Sequence, residues 1–128
     1  MTKVNVSKEG AVMTVSLNNP PLNILNFETI RDLTDALKKA DEVEGLKCVL
    51  LKGEGKCFSA GADIKEHMPE YVSEMLRLMH ELGMTLYQMK TPVICSMHGA
   101  ALGGGLEVAL LADVKIAASD CKIGLPEI

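Results

Sequence analysis

Two short stretches of this sequence hold residue types that could do chemistry. In the first, His98-Gly99-Ala100-Ala101-Leu102-Gly103-Gly104-Gly105-Leu106-Glu107, consecutive glycines open an apolar helical run and a carboxylate follows in its first turn. Bare backbone N–H groups at a helix start can hold a developing negative charge. In the second, Gly124-Leu125-Pro126-Glu127, another carboxylate stands next to the last residue. Two carboxylates that converge on one point can handle the protons of a water molecule. A small-residue loop, Ala60-Gly61-Ala62-Asp63, offers a second place where backbone N–H groups can reach a ligand.

Each feature also has a plainer reading. Glycine in a helix costs about 1 kcal/mol relative to alanine, so the glycine run must gain something. Close helix packing would serve as well as ligand access. Glu107 can simply complement the helix dipole, worth less than about 1 kcal/mol. Its neighbours Leu106, Val108, Ala109, Leu110 and Leu111 are all apolar, however, and leave little polar face for an idle charge. A partly buried carboxylate is therefore expected. Asp63 can cap the segment from Ile64, and Glu127 can be a solvated residue near a chain end.

Other chemistries find no support. His67, His80 and His98 lack metal-ligand spacing with cysteines or acids, so no metal is expected. Ser59 and Ser96 stand outside a nucleophile elbow. No G-x-x-x-x-G-K-[ST] phosphate loop is present, and Val108 occupies the position where a dinucleotide fingerprint needs its last glycine. The net charge of -4, with no block of Lys or Arg, leaves nucleic acid without an electrostatic footprint. The four cysteines form no C-x-x-C pair and are expected as free thiols in a reducing compartment. The first residues have no apolar signal core. The most apolar region, Pro92 to Ala112, is interrupted by His98, Glu107 and glycines, so no membrane span is expected, and the location is expected to be cytoplasmic, or an organelle matrix if a targeting segment was removed.

The elements that would carry these residues follow from periodicity. Val4 to Ser7 and Ala11 to Leu17 alternate around Glu9-Gly10 as a hairpin. Asn26 is placed to cap a helix from Phe27, with Ile30, Leu33, Leu37 and Ala40 at helical spacing through Val43. Leu46 to Leu51 reads as a buried strand, Glu70 to Gln88 as a second helix with an apolar stripe of Met75, Leu78, Met79, Leu82 and Leu86, and Val93 to Met97 as a strand after Pro92. A helix from Gly104 to Leu111 and strands at Val114 to Ala118 and Lys122 to Gly124 complete the order β-β-α-β-loop-α-β-α-β-β. This is one α/β domain, and its 48% apolar residues can fill a core, with eight Met suited to irregular gaps.

Taken together, the segments resemble the enoyl-CoA hydratase/isomerase family, or crotonase superfamily, over nearly the whole chain. Asn18-Asn19-Pro20 with Leu22-Asn23-Ile24-Leu25 is similar to the family's first ligand loop, although shorter than its common form. Phe58-Ser59-Ala60-Gly61-Ala62-Asp63-Ile64-Lys65-Glu66 is similar to its A-G-A-D-[IL] motif. The glycine run is similar to its G-x-a-x-G-G-G-x-E segment, and Gly124-Leu125-Pro126-Glu127 to its G-x-P-E. The resemblance implies an α/β fold of the ClpP/crotonase type, a spiral of ββα units incomplete at the C-terminus. Residues 1–128 would be the N-terminal part of that domain, without the helices that build trimers or hexamers, and would expose apolar surface.

The resemblance further implies an enoyl-CoA hydratase, adding water in the syn sense to a 2-enoyl-CoA thioester. The N–H groups of Ala62 and Gly104 would form the oxyanion hole, and Glu107 and Glu127 would hold the water and move its protons. Coenzyme A, part of the substrate and not a separate cofactor, would lie along Leu22, Ala60, Gly61, Asp63 and Ile64. Isomerases of the family typically keep only the acid matching Glu127, so the presence of both favours hydration. Glu66-His67-Met68-Pro69-Glu70 resembles hydratases that act on alicyclic dienoyl-CoA. That activity, isomerisation, and an inactive CoA-binding fragment stay open as alternatives.

Overall fold

The expected hairpin at the start of the chain forms β1 (Val4–Glu9) and β2 (Val12–Leu17), paired antiparallel with Val6 opposite Val15. It belongs to a computed structural model that describes residues 2–63 and 68–126. β2 carries the inward side chains Met13, Val15 and Leu17, whereas β1 buries only Val4, so β1 is a sheet edge. Asn26 caps α1 (Phe27–Asp41): its side chain accepts from the Thr29 N–H at 2.9 Å, satisfying a donor the helix itself cannot. Ile30, Leu33, Leu37 and Ala40, at the expected spacing, are fully buried.

The chain then runs through β3 (Cys48–Gly53), α2 (Val72–Gln88), β4 (Val93–Met97), β5 (Ala100–Leu102), α3 (Gly104–Leu110), β6 (Val114–Ala117) and β7 (Lys122–Gly124). One sheet has the order β1-β2-β3-β4-β6, and every pair after the hairpin is parallel. A second, small layer runs alongside. β5 pairs with β7 in parallel, Ser59 bridges Ala101, and Leu25 bridges Ala62. From β2 on, each turn of the chain lays one strand in the large sheet and then one extended segment in the small layer, and the first three such turns add a helix. This is the expected spiral of ββα units.

Several boundaries differ from the sequence reading by one or two residues, and one strand is added: β1 runs on to Glu9, β2 starts at Val12, α1 ends at Asp41, β3 starts at Cys48, α3 ends at Leu110 and β6 at Ala117. α2 begins at Val72, because Glu70 and Tyr71 belong to a turn in which the Met68 carbonyl accepts from both Tyr71 and Val72. Position 53 joins β3, where any side chain would strike the backbone of Cys57 and Phe58 at 2.7 Å; only glycine lets the two segments approach so closely. β5 is an additional strand. It adjoins the glycine run and is extended through its pairing with β7 and the bridge of Ala101 to Ser59.

α1 and α2 pack side by side over the large sheet. Leu33, Leu37, Leu78 and Leu82 lie in one core with Val15, Val49 and Leu51. At the rim, Arg31 pairs with Glu74 at 3.1 Å and Lys38 with Glu81 at 2.9 Å. All four cysteines are free; burial pushes the Cys95 thiol, in the middle of β4, up to about 12. Among the described residues no helix is long and apolar enough to cross a membrane. Exposed apolar side chains include Leu76 and Tyr87 on α2, Leu110 at the end of α3, Leu111 just after it, Val114 and Ile116 on β6 and Ile123 on β7.

Candidate active site

The small parallel layer brings the separate motifs to one place. Its segments end at an open pocket of about 960 Å³. Asn19, Leu22, Ile24 and Asn26 form one wall, Ala60 to Asp63 a second, and Met75, Leu76 and Met79 of α2 a third. Gly104, Glu107 and Pro126 complete it.

The geometry at its floor comes from two peptide planes. In a trans peptide, C=O and N–H point in opposite directions. The Gly61 carbonyl accepts from Leu25 N–H at 2.8 Å, so the Ala62 N–H of the same peptide points away from Leu25. The Gly103 carbonyl accepts from Glu107 N–H at 3.0 Å, so the Gly104 N–H points backward out of the helix start. Among the described residues neither Ala62 N–H nor Gly104 N–H has an acceptor. The two are neighbours: a methyl built on Gly104 would lie 3.6 Å from Ala62 N, and one built on Gly61 would lie 3.8 Å from Gly104 N. Two free donors thus border the same pocket, an arrangement that can bind an oxygen on which negative charge develops.

The glycine run divides its tasks. Gly103 takes φ of 53°, a left-handed conformation that turns the chain from β5 into α3. Gly104 faces the pocket. Gly105 serves packing, because a methyl there would come within 2.7 Å of the Ser59 Cβ and carbonyl oxygen. Close packing is thus met at Gly105, and Gly104 beside it borders the pocket.

Glu107 lines the pocket, and it is exposed. This corrects the expectation of partial burial. The apolar neighbours do not all face inward, since Leu106, Val108 and Ala109 are buried while Leu110 and Leu111 face outward beside Glu107. The short helix presents one mixed, open face. Asp63 also lines the pocket, half-buried. Leu22, Ala60 and Gly61 stand together on the walls, with the Ala60 N–H donating to the Leu22 carbonyl at 2.9 Å. Glu127 and Ile64, and the capping of a segment from Ile64 by Asp63, lie outside the described residues. Pro126 lines the pocket.

Three polar residues that motif reading did not single out hold this floor together. Asn23 is buried at a φ of 51°. Its amide donates to the carbonyls of Glu54 and Cys57, both at 2.9 Å, and its side-chain oxygen accepts from Asn19 N–H at 2.9 Å. The Asn19 amide donates to the Ile24 carbonyl at 2.9 Å. Ser59, fully buried, donates to the Asn23 carbonyl at 2.8 Å and accepts from Gly61 N–H at 3.2 Å. The available signal was the asparagine pair itself, since asparagine tolerates left-handed turns and bonds nearby backbone. Met75 and Met79, expected as core, serve both core and pocket wall.

Known proteins resemble this chain in sequence and in fold. A sequence model described as enoyl-CoA hydratase/isomerase matches residues 7–128. A probable enoyl-CoA hydratase of Bacillus subtilis (strain 168) is 37% identical over 132 residues, covering 100% of this chain and 51% of its own length. Cyclohexa-1,5-dienecarbonyl-CoA hydratase of Thauera aromatica is 36% identical over 126 residues, covering 98% of this chain and 49% of its own. The crystal structure of an enoyl-CoA hydratase from Thermoplasma volcanium GSS1 superposes with a TM-score of 0.92 at 35% identity, over 99% of this chain and 52% of that one. Pseudomonas aeruginosa DspI superposes with a TM-score of 0.93 at 30% identity, over 99% and 50%. The chain spans about half the length of the curated relatives it matches.

Proposed function

The chain belongs to the enoyl-CoA hydratase/isomerase family, and from that premise we propose that the protein hydrates a 2-enoyl-CoA thioester. The observation that carries the reading is the pair of unpartnered N–H groups, Ala62 and Gly104, at the floor of a pocket that Glu107 also lines. In the proposed reaction the thioester carbonyl sits between those two donors. Attack of water at the β-carbon drives charge onto that oxygen as an enolate. Donors already in place stabilise it, each worth about 2.7–4 kcal/mol by analogy with other oxyanion holes. Ala and Gly suit the task because the backbone does the work and no side chain obstructs it.

Glu107 and Glu127 are proposed to hold the water, take one of its protons and deliver one to the α-carbon. Leu22, Ala60, Gly61, Asp63 and Ile64 are proposed to flank the coenzyme A moiety. The same reading assigns a homo-oligomeric state, trimer or hexamer, and a cytoplasmic location. A second reading, hydration of an alicyclic dienoyl-CoA, is favoured by the likeness to the Thauera aromatica enzyme.

The test mixes purified protein with a short linear 2-enoyl-CoA, or with a cyclic dienecarbonyl-CoA, and follows loss of the conjugated thioester absorbance. Faster loss with the cyclic thioester selects the second reading. Glu107→Gln and Glu127→Gln should each reduce turnover by about 10²-fold or more, the usual scale of acid–base catalysis. Near-normal hydration by either variant would sink the two-carboxylate mechanism. Binding of coenzyme A with no turnover would mark the chain as an inactive fragment.

A further inference from the structure

The hydroxyl of Ser59 has no place in the proposed reaction, yet it lies under the floor of the site. We propose that Ser59 is a positioning residue for the oxyanion hole, its hydroxyl holding the Gly61–Ala62 peptide so that the Ala62 N–H faces the substrate carbonyl. The proposal rests on the hydration reading and deepens it.

Gly61 has a φ of 117°, where the backbone is soft and a side chain would be strained. Something must hold it. Its carbonyl is held by Leu25 N–H at 2.8 Å and its N–H by Ser59 Oγ at 3.2 Å. With both ends of Gly61 tied, the plane of the next peptide has no freedom, and that plane carries the Ala62 donor. Without the hydroxyl, of the two bonds that Gly61 makes among the described residues the one to Leu25 remains, and its buried N–H loses its acceptor. The peptide then gains by rotating toward water in the open pocket.

Ser59 also reaches the other donor. Its carbonyl accepts from Leu102 N–H at 3.0 Å, at the end of β5 just before the glycine run. Its Cβ and Oγ pack against Gly105, next to the Gly104 donor. Through its bond to the Asn23 carbonyl at 2.8 Å it is tied to the loop that carries Leu22. One buried residue thus joins the two segments that supply donors and the adjoining loop that carries Leu22. Alanine keeps the Cβ and the backbone bond to Leu102 and removes only the bonds of the hydroxyl. The substitution therefore separates orientation from packing.

The experiment uses the full chain and an aryl-conjugated enoyl-CoA, a chromophore whose absorbance moves to longer wavelength when its carbonyl is polarised. The wild type should show the shift at saturation. At saturation with the thioester, Ser59→Ala should lose most of the shift per bound ligand, and its Gly61 amide should exchange hydrogen faster. Ser59→Cys, which fills the hydroxyl's space with a weak acceptor, should behave as the alanine variant does. Full retention of the shift and of Gly61 protection in the alanine variant would overturn the role of Ser59 while leaving the hydration reading intact. Absence of any shift in the saturated wild type would overturn both together.

Discussion

Replacing Gly105 with alanine sets two effects of opposite sign against each other. In a helix interior the change alone should stabilise by about 1 kcal/mol. At Gly105 the added methyl would lie 2.7 Å from both the Cβ and the carbonyl oxygen of Ser59, and 2.9 Å from its hydroxyl. Ser59 has no room to retreat, being fully buried and bonded to Leu102, Asn23 and Gly61. Forcing an extra carbon into a well-packed interior costs about 1–3 kcal/mol. Loosening a bond at Ser59 adds about 1 kcal/mol for each one weakened. Overpacking wins, and Gly105→Ala should lose about 1–3 kcal/mol net. Gly83, inside α2, is the internal control. A methyl there meets only Leu111 Cδ1, at an ordinary 3.6 Å, so propensity acts alone and Gly83→Ala should gain about 0.5–1 kcal/mol. Urea melts of the three proteins, with their slopes compared, measure both numbers. If Gly105→Ala proves as stable as the wild type while Gly83→Ala shows its gain, α3 is not seated on Ser59 and the argument fails.

Gly104→Ala should separate stability from function: its methyl makes ordinary contacts, 3.6 Å to Ala62 N and 3.7 Å to Leu25 Cδ1, yet it is added at one donor residue and close to the other donor. Melting should be unchanged or slightly improved while the red shift of a bound aryl enoyl-CoA disappears; a preserved shift would count against the hole. Asn23→Ala removes three hydrogen bonds from a buried, left-handed position and should cost about 3 kcal/mol in a urea melt; a loss well under about 1 kcal/mol would mean the loop is held by other contacts. Glu74 is held down at about 2, against a usual 4.5, chiefly by its hydrogen bond to Arg77 and also by Arg31. Its folded-state pKa is depressed, so its contribution to stability is present above about 4.5 and fades as pH falls toward 2. The stability gap between wild type and Glu74→Gln should therefore narrow over that acid range, and a gap independent of pH would contradict the pairing.

The sequence by itself determined the local elements and the kinds of groups at the site. Alternation along β2, the spacing of Ile30, Leu33 and Leu37, and the Asn26 cap depend on neighbours a few residues away, so they are legible without the fold. The glycines at 103 to 105 and at 61 announced backbone that must bend or come close, without saying which glycine did which. Only tertiary structure divided those tasks, because the partner of each lies far along the chain: Ser59 for Gly105, Leu25 for the Gly61 carbonyl, Gly124 for the N–H of Gly103. The same holds for β5, which is a strand by virtue of β7, and for Ser59 and Asn23, whose meaning lies in carbonyls of other segments. It holds for Glu107 as well, since whether a helical carboxylate is covered depends on which segments close over it. Short-range periodicity encodes what each segment is; the direction of two N–H groups in space is set by hydrogen bonds between segments that only the folded chain brings together.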